Sequence, residues 1–169
     1  SLDRAGVPEH LHDTVIETYR GHLRQVGLFQ AQLIDGMVAV LDALRAAEVP
    51  LALASAKMIP MAVTTLEHFG IADRFHAVAG VLPDGVARTK AEIVADALVA
   101  LGGPDPSRVA MVGDRHHDTE GALANGCIAV AVSWGFHEPG ERAAHPPDHE
   151  VDTPEALLAL LRSLPAGPP

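Results

Sequence analysis

Arg108-Val-Ala-Met-Val-Gly-Asp-Arg-His-His-Asp-Thr-Glu-Gly-Ala-Leu-Ala-Asn-Gly126 is the stretch whose reading decides the fold. An apolar run, Val109-Ala-Met-Val112, ends in Gly113-Asp114. Asp118 follows, and then the small residues Gly121-Ala-Leu-Ala124. A continuous apolar run of this length, closed by a turn and followed by a helical pattern, predicts a buried parallel strand feeding a helix. Open α/β sheets bind ligands at the carboxyl ends of such strands. Asp114 and Asp118 lie there, and two carboxylates so close repel unless a positive charge sits between them. Mg²⁺ suits hard oxygen ligands of this kind.

Outward from this stretch the pattern repeats. Pro50-Leu-Ala-Leu-Ala-Ser55 predicts a strand, residues 58–69 a helix capped by Gly70, and His76-Ala-Val-Ala-Gly80 a second strand. After a polar loop at 81–88, Thr89 and Glu92 form a capping-box signature for a helix over 90–101, which Gly102-Gly-Pro-Asp-Pro106 stops. Residues 127–133 and 149–152 predict two more strands. Thr153-Pro154 opens a final helix through about 163. Strand and helix alternate through 50–163, which predicts an α/β fold with a doubly wound parallel sheet. A helix over 36–48, with Val40, Leu41 and Leu44 inward, precedes it. Leu11, Val15, Tyr19, Leu23 and Val26 place an amphipathic helix at 8–27, outside the alternation. The tail 165–169 is expected to be disordered.

Composition narrows the function. The chain has 169 residues, 48% hydrophobic but only 4% aromatic, so aliphatic side chains must fill the core. A formal net charge of -10 argues against nucleic acid as a partner and requires any anion site to carry its own cations. The single Cys127 cannot form an internal disulfide, and a reducing cytoplasmic setting is expected. No apolar run approaches the roughly 20 residues that span a bilayer, and no signal-peptide pattern is visible.

Other polar residues mark strand ends or helix starts. A Ser55 hydroxyl at a strand's end suits a phosphate oxygen beside opening backbone N–H groups, and equally suits an N-cap before an exposed Lys57. Lys90 in a first helical turn opposes the helix dipole, which an anion within its reach would explain; taken alone it also reads as a solvated surface lysine. One of the two aspartates can serve as an ordinary helix cap. His116 and His117 read as exposed loop residues, because the ligand spacing of a zinc site is absent. Gly121 and Gly126 suit close packing and a helix C-cap. No Gly-rich dinucleotide or phosphate-loop fingerprint occurs.

Leu51-Ala-Leu-Ala-Ser-Ala-Lys57, Thr89-Lys-Ala-Glu-Ile93 and Val112-Gly-Asp-Arg-His-His-Asp118, in that order, resemble the second, third and fourth motifs of the haloacid dehalogenase superfamily. Ala129-Val-Ala-Val-Ser-Trp-Gly135 is similar to the strand and turn that follow them. The likeness is greatest to the phosphoglycolate-phosphatase-like branch. Residues 1–34 resemble the end of a helical cap, residues 35–164 the α/β core. The resemblance implies Mg²⁺-dependent hydrolysis of a small phosphorylated metabolite through an aspartyl-phosphate. Ser55, with Ala56 beside it, would hold the phosphoryl group, and Lys90 would neutralise it. Asp114 would ligate Mg²⁺, and Asp118 would complete or orient its shell.

The superfamily's first motif, an apolar strand ending Asp-x-Asp-Gly-Thr, supplies the nucleophile, and the chain contains no Asp-x-Asp. Leu33-Ile-Asp-Gly-Met37 is a poor imitation, and Asp35 reads as the N-cap of the next helix. In the superfamily that strand lies between those carrying the second and fourth motifs. The absence of an initiator Met favours N-terminal truncation, so these residues alone are expected to be inactive. A strand from another chain, or a catalytically dead phosphate- or Mg²⁺-binding module, are the alternatives. A metal-free dehalogenase fits the Asp114/Asp118 pair poorly, and a receiver-like domain would carry its acidic cluster earlier. Substrate identity and oligomeric state are not legible.

Overall fold

The computed structural model describes residues 6, 8–12, 14–15, 18, 32–83, 86–138 and 140–164. Five parallel strands carry the structure: β1 (Ala52–Met58), β2 (Ala77–Val81), β3 (Ala110–Gly113), β4 (Ile128–Val132) and β5 (His149–Val151). The helices α1 (Met37–Ala46), α2 (Ile59–His68), α3 (Lys90–Ala100), α4 (His116–Ala124), α5 (Glu141–Ala144) and α6 (Pro154–Ser163) accompany them. The doubly wound α/β architecture is the expected one.

The alternation of side chains along β4 shows why helices cover both faces. Val130 and Val132 point to one side, where they pack with Val151, with Val40 and Leu44 of α1, and with Leu157 of α6. Cys127 and Ala129 point to the other, against Val94 of α3 and Ala122 of α4. Ile93 and Leu157 are the largest side chains buried almost completely, as a core built from aliphatic residues requires.

The strands form two sheets rather than one. β1 pairs with β2, Ala52 opposite Ala77 and Ala54 opposite Ala79, with a register shift before Met58 meets Val81. β3, β4 and β5 form the second sheet, Ala110 opposite Ile128 and Val130 opposite His149. Leu51 C=O accepts from His76 N–H on the β2 side (2.7 Å). Alternation along a parallel strand therefore turns the peptide groups of Ala52 and Ala54 away from β2. Val109 C=O accepts from Ile128 N–H (2.9 Å), which turns those of Ala110 and Val112 away from β4. Among the described residues no strand pairs with either outer edge.

Local signals explain the element ends. Thr89 Oγ1 accepts from Glu92 N–H while the Glu92 carboxylate accepts from Thr89 N–H, completing the expected capping box. Thr153 Oγ1 accepts from Ala156 N–H at the start of α6 (3.1 Å). Gly70 and Gly126 take left-handed φ values of 64° and 73° just past α2 and α4. Two expectations are corrected. Asp35 is not the N-cap of α1; Gly36 is, with φ 86°. The turn closed by Met37 N–H donating to Ile34 C=O (3.1 Å) needs a positive φ at its third residue, and glycine supplies it. Ser55 does not end its strand either, because β1 continues to Met58, which caps α2.

The chain divides into two units, Ser1–Leu33 and Ile34–Pro169. In the first, a 3-10 turn spans Glu9–Leu11. The rest of the helix expected over 8–27, with Tyr19, Leu23 and Val26, lies largely outside the described residues, as does the tail 165–169. No helix among the described residues is long and apolar enough to cross a membrane.

Candidate active site

The Gly113-Asp114 corner at the end of β3 organises the site. Asp118, in the first turn of α4, folds back over Gly113, where a Cβ would collide with its side chain. Asp118 Oδ2 accepts from Asp114 N–H (3.1 Å) and Arg115 N–H (3.2 Å), tying the turn to the helix it opens. Asp118 Oδ1 pairs with Lys90 Nζ at 2.8 Å. The two side chains are only 15% and 14% exposed, so this pair is screened far less than a surface one.

Lys90 also donates to Ala54 C=O at 2.8 Å, one of the peptide groups that β1 turns away from β2. Its place in the first turn of α3, unfavourable for a cation, is offset by these two acceptors. Gly121 permits the approach: a Cβ there would lie 2.9 Å from Lys90 Cγ. Asn125 supports the same contact, its side-chain N–H groups donating to Ala91 C=O of α3 (2.9 Å) and Gly121 C=O of α4 (2.8 Å).

Asp114 has a different environment. Its Oδ2 accepts from Phe136 N–H at 2.6 Å. Gly135 lets the backbone pass, since a Cβ at that position would collide with the Asp114 side chain. No protein donor reaches the other oxygen among the described residues. That oxygen is therefore available to a hard cation, whereas both Asp118 oxygens already have protein partners.

A cleft of about 610 Å³ brings Ala56, Lys90, Asp114 and Asp118 together, with Arg115 and His117 beside them. Arg88 also lines it, so the cleft carries its own cations in an acidic chain. Ser55 is not among the lining residues. Its Oγ accepts from Lys57 N–H at 3.2 Å, a local turn that orients the hydroxyl at the bend of β1.

Glu141 of α5 is the residue that sequence reasoning missed. Its side chain is 6% exposed. It accepts from Glu138 N–H (2.6 Å), His116 N–H (2.7 Å) and Arg115 Nε–H (3.0 Å), and from the His116 ring Nδ1. These donors, the two backbone N–H groups foremost, hold its carboxyl far below the usual range although burial opposes them. In return Glu141 raises the Arg115 guanidinium. The glutamate thus locks the turn after β3 to the segment after β4. His116 and His117 are not loop residues: they open α4, and His116 is half-buried against Glu141.

Helices on both faces of parallel strands, with carboxylates and a lysine at the strands' carboxyl ends, define an α/β protein of the Rossmann-like class. The chain belongs to the haloacid dehalogenase-like hydrolase family, whose profile matches residues 2–126. It is 39% identical to the tyrosine-protein kinase PtkA of Mycobacterium tuberculosis over 136 residues, which cover 80% of this chain and 46% of the kinase. A 5'-nucleotidase of Pseudomonas aeruginosa is 32% identical over 88% of this chain and 66% of its own length. A phosphoglycolate phosphatase of Caulobacter vibrioides is 33% identical over 85% of this chain and 64% of its own. The chain thus spans from about half to two thirds of these relatives. The crystal structure of a predicted phosphatase from Clostridium acetobutylicum matches with a TM-score of 0.88 at 27% identity, covering 96% of this chain and 75% of that one.

Proposed function

We propose that the protein is a Mg²⁺-dependent phosphatase acting on a small phosphorylated metabolite, and that its nucleophilic aspartate lies on a strand seated between β1 and β3. The observation that carries this reading is Lys90, held 2.8 Å from both Ala54 C=O of β1 and Asp118 in the first turn of α4, in the cleft that Asp114 lines. The outward peptide groups of Ala54, Ala110 and Val112 support the inserted strand, because buried N–H and C=O groups seek partners. The absence of Asp-x-Asp within these 169 residues supports a source outside them.

The residues present fit the metal. The free oxygen of Asp114 offers the hard ligand that Mg²⁺ takes, and Mg²⁺ commonly binds through one or two carboxylates and the substrate phosphate. When bound, it would supply charge neutralisation at the transferring phosphoryl group. Asp118 acts here as an orienting residue, since Lys90 and two backbone N–H groups use its oxygens. Lys90 offsets charge on the phosphoryl oxygens, and Ser55 and Ala56 position them at the bend of β1. The carboxylate nucleophile then displaces the ester oxygen, and water cleaves the acyl phosphate.

The test is a panel of phosphate monoesters presented to the full-length protein with Mg²⁺. Turnover that Asp114→Asn abolishes is the expected result. The 169-residue piece alone is expected to be inert; turnover by it would overturn the external nucleophile. Full-length protein that binds phosphate but hydrolyses nothing would make this a binding module. The 39% identity to PtkA favours one second reading, phosphoryl transfer involving protein tyrosine. Incorporation of label from γ-labelled ATP into the protein or a tyrosine peptide separates the two.

A further inference from the structure

We propose that His116, His117 and Glu120, at the start of α4, form a binding site for a borderline transition-metal cation of the Zn²⁺ class, separate from the Asp114 site. Imidazole nitrogens favour such ions over Mg²⁺. Each of the three residues offers a ligand atom, and these atoms lie within 4.8 Å of one another. Zn–N and Zn–O bonds of about 2.0–2.2 Å place two tetrahedral ligands about 3.4 Å apart. His117 Nδ1 and Glu120 Oε2 are 3.6 Å apart, too long for a hydrogen bond and close to that spacing. Both side chains are exposed, 65% and 50%, and the exposed His117 ring can close the remaining gap by rotation.

A second, independent feature is the support behind the ligands. His116 turns its Nδ1 to the buried carboxylate of Glu141, which fixes the proton there and leaves Nε2 to face a ligand. A carboxylate behind a histidine is the usual way a protein orients a metal-binding imidazole. Glu120 is held likewise, its Oε1 lying 2.9 Å from His145 Nδ1. The His116 and His117 rings lie beside each other at the helix start, centroids 3.7 Å apart and tilted by 47°. The set supplies three protein ligands, leaving a fourth position for water or a substrate oxygen. His117 and Glu120 also line the cleft of Asp114 and Lys90, so a bound ion would add positive charge where an anion enters.

The experiment is titration of the chelator-stripped full-length protein with Zn²⁺ in a large excess of Mg²⁺, read against a chromophoric zinc indicator. Co²⁺ is then substituted to record the visible spectrum of a low-coordinate site. One ion per chain is expected, with binding retained in Asp114→Asn. His117→Ala and Glu120→Ala, both at exposed positions, are expected to weaken it at least about tenfold. Glu141→Gln is expected to weaken it about 10–100-fold through the lost support of His116. Circular dichroism shows whether each variant is folded. No stoichiometric binding in excess Mg²⁺, or binding indifferent to His117→Ala and Glu120→Ala, overturns the proposal. Loss in Asp114→Asn overturns it too, because the ion would then belong to the Asp114 site.

Discussion

Gly121→Ala reverses an ordinary expectation. In the interior of a helix, alanine is favoured over glycine by about 1 kcal/mol. Gly121 is buried in α4, and the new Cβ would stand 2.9 Å from Lys90 Cγ and 3.2 Å from the Lys90 carbonyl carbon. Carbon atoms meet comfortably at about 3.5 Å or more. The methyl group therefore arrives roughly 0.6 Å too close to Cγ, and the second contact is backbone that cannot rotate away. Overpacking of this kind costs about 1–3 kcal/mol. The cost exceeds the helix gain, so a net loss of about 0–2 kcal/mol is expected, seen as a lower urea midpoint at unchanged slope. The double mutant isolates the cause. Lys90→Ala removes Cγ, so Gly121→Ala should cost less in that background, with a coupling of about 0.5 kcal/mol or more. Stabilisation by about 1 kcal/mol in both backgrounds would refute the close α3–α4 approach.

Two further tests address other parts of the fold. Leu157 is 1% exposed among Val40, Leu44, Val130, Val132 and Val151, so Leu157→Ala should cost about 2–5 kcal/mol in urea unfolding. A loss well below that range would mean that α1 and α6 collapse over the void. Glu141 has a carboxyl held below its ordinary 4.5, so its ionised form is favoured by folding. That contribution is fully present above pH 4.5 and is lost as pH falls through the lower, folded value. Glu141→Gln should therefore be less stable than the parent at neutral pH, and the difference should shrink as urea midpoints are followed into acid. A difference that stays constant with pH would show that ionisation of Glu141 is not what secures the turn.

The strands and most helices were legible because short-range chemistry dictates them. Runs such as Val109-Ala-Met-Val112 have no polar face to expose, and Thr89 with Glu92 satisfies its own helix start without outside help. Lys90 was legible through a conflict, a cation at the positive end of a helix, which tertiary acceptors resolve. What escaped depends on distant partners. Residues 56–58 extend β1 only because Met58 meets Val81 beyond a register shift. Gly36 displaced Asp35 as the cap because the turn's φ outweighed a side-chain hydrogen bond. Glu141 sits in a four-residue helix, too short for any periodicity, and its burial depends on N–H groups supplied from the start of α4.

Lys90 also explains how two unjoined sheets share one site. An ammonium group has three N–H donors. Ala54 C=O of the β1–β2 sheet uses one, and Asp118, anchored to the end of β3, uses another. Among the described residues nothing takes the third, so on the proposed reading a phosphoryl oxygen binds without either tie being broken. Lys90 is then preorganised: the partners that fix its direction are spent before substrate arrives, and little rearrangement remains at the moment of reaction. This also assigns the two aspartates different work. A carboxylate that holds Lys90 with one oxygen and two backbone N–H groups with the other has fewer lone pairs to offer a cation than Asp114, one of whose oxygens meets no donor among the described residues. On the proposed reading, the Gly-Asp-x-x-x-Asp spacing therefore supplies one metal ligand, Asp114, and one support, Asp118, that aims Lys90 at the same point.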